Sequence, residues 1–288
     1  MVKTVKIERK GELQMKHATI PALVIAVLLF SSAAFAFDTI EFKDPKGDDK
    51  GPGTYVYPSD TAYTKGAFDM RGITIEDAGD DVKITVKFAK KIEDPWDSKS
   101  WEGRGWSLQM VQIYIDTDRK PKSGFEMTLP GMNVRFAETS WWEKVIMVSP
   151  QPASRISDEL GKAPKMKSSV VIPRKISARG KKLVALVSKK DLGTPATGWG
   201  WQALVQSNEG YPSGGDILSR KVNEFEGQHR FGGGTDYDCD PHAIDILVEP
   251  AVGSDAEKDD QYKAMTYKFD PTKPEDISGQ ARVPMLYR

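Results

Sequence analysis

Two short runs, Ile73-Thr-Ile-Glu76 and Val82-Lys-Ile-Thr-Val-Lys-Phe88, alternate apolar and polar residues on either side of Ala78-Gly-Asp-Asp81. A period of two puts every second side chain on one face, which is the pattern of a half-buried strand. The Gly-Asp between the runs is turn chemistry, so the segment predicts a hairpin. Similar runs recur at 108–115, 145–148, 169–172, 183–187, 203–206 and 244–248, each bounded by turn residues. Helical periodicity is scarce, and only 158–162 and 189–192 read as single turns. Many short strands without long intervening helices predict an all-β fold, an antiparallel β-sandwich rather than a parallel sheet. Residues 262–269 alternate again and are expected to return as a strand, and 283–287 end the chain apolar, which predicts docking on the sandwich.

The segment Asp44-Pro-Lys-Gly-Asp-Asp-Lys-Gly-Pro-Gly-Thr-Tyr-Val-Tyr-Pro58 is a different kind of element. Its Gly and Pro exclude a helix and a central strand. Asp44, Asp48 and Asp49 therefore sit on a tight loop that offers oxygens from several directions. Calcium takes six to eight such oxygens from carboxylates, carbonyls and water; a solvated acidic turn is the alternative. Asp69, and Asp116 with Asp118 at the end of the 108–115 strand, add further candidate ligands. For Asp116-Thr-Asp118 an Asx turn is the competing reading. Asp236, Asp238 and Asp240 form another acidic group.

That opening run resembles the start of the glucodextranase C-terminal-like family. Later segments agree: Gly66-Ala-Phe-Asp69, Asp94-Pro-Trp96, Gln112-Ile-Tyr-Ile-Asp116, Gly198-Trp-Gly-Trp-Gln202, Phe231-Gly-Gly-Gly234 and Asp240-Pro-His-Ala-Ile-Asp-Ile-Leu247. The resemblance implies a DOMON-like, immunoglobulin-like jelly-roll sandwich related to family 9 carbohydrate-binding modules. It implies a non-catalytic accessory role and, among the wider DOMON-like proteins, either sugar or haem as ligand. Fold follows from such a resemblance more firmly than ligand does.

The N-terminus carries an apolar run at 20–30 preceded by Lys16 and His17 and followed by Ala34-Phe-Ala36. Those are the parts of a secretory signal peptide cut before Phe37, with a run too short for a comfortable span. Met15 is an alternative start, which would make residues 1–14 a mis-assigned extension. The expected organisation is a signal peptide at 1–36, a sandwich at 37–250, and an acidic loop with a docking segment at 251–288. The expected location is periplasmic or extracellular. Cleavage removes five of 41 basic and two of 41 acidic residues, leaving 36 against 39. A mildly negative chain argues against nucleic acid as partner and gives no membrane-surface signal. Cys239 is the sole cysteine, so no intrachain disulfide forms, and its acidic neighbours disfavour a thiolate.

Seven tryptophans are present. Sugars present apolar C–H faces and hydroxyl edges, so a binding site wants aromatic rings beside amides and carboxylates. Trp96, Trp101, Trp141, Gln109 and Asn133 are suited to that task, while Trp142, Trp199 and Trp201 read as core. Haem needs axial ligands such as His or Met; after cleavage His229 and His242 remain, with Met110 and Met132 as partners, and no spacing ties them together. No Gly-x-Ser-x-Gly elbow, phosphate loop or zinc motif occurs. The expectation is a secreted, calcium-stabilised, non-catalytic module for polysaccharide or cell-envelope glycan. A haem-binding electron-transfer subunit and a structural cell-surface protein are the alternatives.

Overall fold

The computed structural model describes residues 1, 2, 4, 36–249 and 256–288. The apolar run at 20–30 and most of the signal-peptide reading lie outside the described residues. Among the described residues thirteen strands follow in chain order. They are β1 (Ile40–Lys43), β2 (Met70–Ala78), β3 (Asp81–Phe88), β4 (Gln109–Asp116), β5 (Val134–Phe136), β6 (Lys144–Val148) and β7 (Val170–Val171). The remainder are β8 (Lys175–Arg179), β9 (Lys182–Ser188), β10 (Gly200–Ser207), β11 (Asp245–Ile246), β12 (Ala281–Val283) and β13 (Leu286–Tyr287). Three short helices are α1 (Ala153–Glu159), α2 (Lys189–Leu192) and α3 (Ala256–Ala264).

The strands form an all-β sandwich. One sheet runs β1-β2-β3-β9-β8 and the other β11-β10-β4-β6-β7, with β13 added along β10. Pairing is antiparallel except β6 with β7 and β12 with β5. The β2–β3 hairpin closes on Ala78 opposite Asp81 around Gly79, whose φ of +73° suits the turn. β2 carries a register shift between Met70 and Gly72. A Cβ on Gly72 would lie 2.1 Å from the Phe42 carbonyl oxygen, so only glycine lets β1 approach there.

The core between the sheets joins Ile73, Ile75, Ile84 and Val86 to Val111, Ile113, Ala203 and Val205. These are the inward positions of the alternating runs. β4 and β10 are buried along their whole length, however. Their other face supports a second core, in which Met110, Tyr114, Met147 and Leu204 meet Leu129, Ile156, Leu160 and Met265. Loops, α1 and the C-terminal segment cover that face. This is why β4 reads as nearly continuous apolar sequence rather than as an alternation.

The alternating run at 262–269 does not return as a strand. Gln261 and Met265, four residues apart, are the buried pair there, and that spacing is the helical period of α3. Among the described residues no helix is long and apolar enough to cross a membrane.

Candidate functional site

Five aspartates from three separate segments converge beside β1 and β11. Asp44, Asp48, Asp49, Asp69 and Asp245 are all buried, the most exposed of them at 5%. Carboxylate oxygens of Asp44, Asp48 and Asp245 lie within 4.8 Å of one another. Backbone amides orient the group: Val248 donates to Asp44 (2.8 Å), Gly47 to Asp69 (2.8 Å) and Met70 to Asp245 (2.6 Å). The second oxygen of each of these three, and both oxygens of Asp48, have no hydrogen-bond partner among the described residues. Arg71 Nη1 stands 3.5 Å from Asp69 and is the adjacent cation. Asp49 is turned aside and accepts the Tyr57 hydroxyl.

Five buried carboxylate oxygens without a hydrogen bond are costly, and of these the Asp69 oxygen has the Arg71 guanidinium beside it. Burial, and then repulsion from Asp48, hold Asp44 well above the usual carboxylate range. Burial with Asp48 and Asp44 does the same to Asp245. Burial pushes Asp48 up to about 7 and Asp69 to about 6, with neighbouring carboxylates adding to both. A hard divalent cation is the chemical partner that an all-oxygen, multiply charged set of this kind fits. Asp44, Asp48 and Asp245 are the carboxylates close enough together to hold one, with Asp69, paired to Arg71, beside them. Asp245 was not among the residues singled out from sequence. The available signal was a lone carboxylate between Ile244 and Ile246 in an otherwise apolar strand.

The other acidic groups are arranged differently. Asp116 accepts from the amides of Asp118 (3.2 Å) and Arg119 (2.6 Å) and from the Tyr287 hydroxyl (2.6 Å). Asp118 is exposed and accepts from the Lys120 amide and Ser123 hydroxyl. This is an Asx turn in which both carboxylates already have protein donors. Glu143 joins the pair within 4.8 Å. Asp236 accepts from the Glu224 amide, Asp238 pairs with Lys221 at 2.7 Å, and only Asp240 of that trio is buried.

A second concavity, about 420 Å³, is lined by Trp96, Trp101, Gln151, Arg155, Tyr211 and Arg220 among others. The loop carrying the two tryptophans is built around Ser98. Asp94 accepts from the Ser98 amide (3.0 Å) and hydroxyl (2.7 Å), and the same hydroxyl accepts from the Gly105 amide (2.9 Å). Asp97 and Glu102, both at positive φ, bracket the tight turn over Ser98–Trp101. A Cβ on Gly103 would lie 2.6 Å from the Trp101 ring, so glycine lets the chain pass behind it. The Trp101 indole donates to the Trp96 carbonyl (3.3 Å). Trp96 is held among Tyr63, His229 and the Arg220 guanidinium, at 5.5–5.7 Å. Both rings are half-buried, and Tyr211 on the rim is 92% exposed. Aromatic faces beside an amide and two guanidinium groups can stack on a sugar ring and hydrogen-bond its edges.

The structure thus brings Trp96 and Trp101 together. Gln109 is buried and donates to the Ala67 carbonyl (2.9 Å). Asn133 lies beside His242 at 3.4 Å, and Trp141 packs on the second core. None of these three lines the cleft. Gln151, Arg155, Tyr211 and Arg220 were missed from sequence because they reach the tryptophans from α1 and from distant loops. Of the core tryptophans, Trp142 and Trp201 are fully buried and Trp199 partly so. His242 is 1% exposed with Nδ1 3.0 Å from the Gly131 carbonyl. His229 packs on Tyr63 and Trp96, and Met110 and Met132 lie in the second core.

An acidic N-terminal loop and an aromatic cleft are thus set on one β-sandwich. The family model for the C-terminal binding module, SLH-like, of glucodextranase matches residues 39–277, and this chain belongs to that family. A comparison with curated proteins found no match.

Proposed function

We propose that the chain is a secreted, calcium-stabilised, non-catalytic module that binds carbohydrate or cell-envelope glycan in the Trp96–Trp101 cleft. The observation that carries this is the cleft itself: two positioned indoles beside Gln151, Arg155 and Arg220 in a concavity of about 420 Å³. Membership in a family of binding modules supports the non-catalytic assignment. The signal-peptide features and the family's place on glucodextranase support a periplasmic or extracellular location. Calcium is supported by the oxygens of Asp44, Asp48 and Asp245 that lack a hydrogen bond and by the closeness of these three carboxylates. In this role the ion is structural: it neutralises the cluster and ties the N-terminal loop to β2 and β11.

The test is a broad glycan array probed with calcium-loaded protein, together with a visible spectrum. Retention of a defined class of glycan by colourless protein is the expected result. No binding across the array overturns the carbohydrate reading, and a Soret band in the purified protein replaces it with the haem alternative.

A further inference from the structure

One row across the five-stranded sheet carries charge of a single sign. Lys43 on β1 stands opposite Gly72 on β2, and Gly72 opposite Lys87 on β3. Lys87 stands opposite Lys182 on β9, and Lys182 opposite Arg179 on β8. Their sequence neighbours Phe42, Phe88, Leu183 and Ala178 belong to the inner core or pack on it, so the four cations share the outer face. All four are exposed. Neighbouring strands lie about 4.8 Å apart, so the row runs roughly 19 Å, with a cation at every position except the glycine. Like charges directly opposite one another are unfavourable. At the hairpin end of the same sheet cations have partners: Lys83 lies 2.8 Å from Glu76, Lys189 lies 2.5 Å from Asp77, and Arg174 pairs with Asp81. Among the described residues no carboxylate lies within 4.0 Å of the charged groups of Lys43, Lys87, Lys182 or Arg179.

The row opens at one end into a concavity. Gly72 has no side chain to fill its place, and a space of about 440 Å³ lies there, lined in part by Lys43, Lys46, Arg71 and Lys87. Arg71 is engaged by the Pro45 carbonyl and by Asp69. Two acids border the space. Asp44 is buried and accepts from the Val248 amide, whereas Glu41 is exposed. No residue is shared with the lining of the Trp96–Trp101 cleft.

We propose that this outer face is a second binding surface, for a linear polyanionic polymer with an acid group on each repeat. The polymer lies along the Lys43–Lys87–Lys182–Arg179 row, with one acid group seated in the concavity over Gly72. The inter-strand spacing is on the order of one repeat of an extended acidic polymer, so successive acid groups meet successive cations. Lysine predominates, and its ammonium is a compact charge on a flexible stem that pairs with carboxylate and phosphate alike. A polyuronate and a polyol phosphate both present this chemistry. The exposed face carries the right sign for either, although the chain as a whole does not carry the basic excess expected for nucleic acid.

The test is calorimetric titration at low salt of a galacturonic-acid oligomer and a glycerol-phosphate oligomer into calcium-loaded protein freed of excess ion. The wild type should bind at least one of them, and the tighter of the two identifies the acid group. Added salt should weaken that binding, because exposed charges are screened. Joint Lys87→Gln and Lys182→Gln substitution should weaken it about tenfold, since each exposed ion pair contributes modestly. Arg179→Gln should weaken it in the same direction, and Lys83→Gln, at the paired position on the same face, should change it little. Removing opposed like charges should leave the melting temperature at or above that of wild type, which separates lost binding from lost folding. Failure of both oligomers to bind, or unchanged affinity in the folded double variant, overturns the inference. Tighter binding of single-stranded DNA, or of vesicles containing anionic lipid, than of either oligomer overturns it too, by giving the face to a different partner. The carbohydrate reading of the cleft is tested with other residues and other ligands, so either proposal can fall while the other stands.

Discussion

Trp101 and Trp106 occupy one loop and have opposite environments. Trp106 is fully buried and donates its indole N–H to the Gln109 carbonyl (2.8 Å), whereas Trp101 is half-buried and lines the cleft. Trp106→Ala should therefore cost about 3–5 kcal/mol in a denaturant unfolding curve, and Trp101→Ala much less. Sequence marked the aromatic cluster but could not sort its members, because burial is decided by what arrives from distant loops. The same holds for the acidic site. Asp44, Asp48 and Asp69 were legible from loop chemistry and from the resemblance. Asp245 was not, since in sequence it is one polar position in a strand. The site yields a signed prediction. Without calcium, Asp48→Asn and Asp245→Asn should raise the melting temperature, because each removes a buried charge that repels its neighbours. With saturating calcium the order should invert, since the wild type alone keeps the full ligand set and gains by mass action. Asp158→Asn, on the exposed side of α1, should change neither comparison. Calorimetric scans with chelator and with calcium check all three.

The element least legible in the sequence is α3. Its buried Gln261 donates Nε2 to the carbonyls of Asp48 and Gly51 and accepts the Ile246 amide (3.1 Å). One side chain thus joins the C-terminal helix, the acidic loop and β11. Local alternation at 262–269 could not reveal this, because the contacts are long-range. Gln261→Ala removes the acceptor of the buried Ile246 amide, which costs about 1–3 kcal/mol. Limited proteolysis should then cut the C-terminal segment faster than in wild type. The turn into β11 gives a pH prediction. Burial pulls the His242 pKa from 6.5 to about 4, while Nδ1 donates to the Gly131 carbonyl. The unfolded chain therefore binds the proton more readily than the folded one between these values. The neutral ring's stability is present above about 6.5 and is lost as pH falls towards about 4. The difference in unfolding free energy between wild type and His242→Gln should shrink by about 3 kcal/mol across that window; a difference independent of pH would contradict the burial argument.

At the scale of the whole molecule, the sandwich was legible because inward positions of β2, β3 and β9 keep a clean period of two. The coverage of the second sheet's outer face was not. Apolar runs such as β4 say that both faces are buried but not by what, and the answer is assembled from loops, α1 and the C-terminal strands. The acidic loop and the cleft are separate devices on this frame. In the proposed function one serves stability and the other recognition, which allows them to be tested independently. The proposed export also belongs to the whole chain: N-terminal sequencing of protein recovered outside the cytoplasm should begin at Phe37, and retention of the run at 20–30 would replace secretion with membrane anchoring. The central claim is that the Trp96–Trp101 cleft binds carbohydrate. Isothermal titration of wild type and Trp101→Ala with the tightest array glycan tests it most directly. The account predicts saturable binding by wild type and none by a variant whose melting temperature is nearly unchanged. Full affinity in a folded Trp101→Ala variant would contradict it.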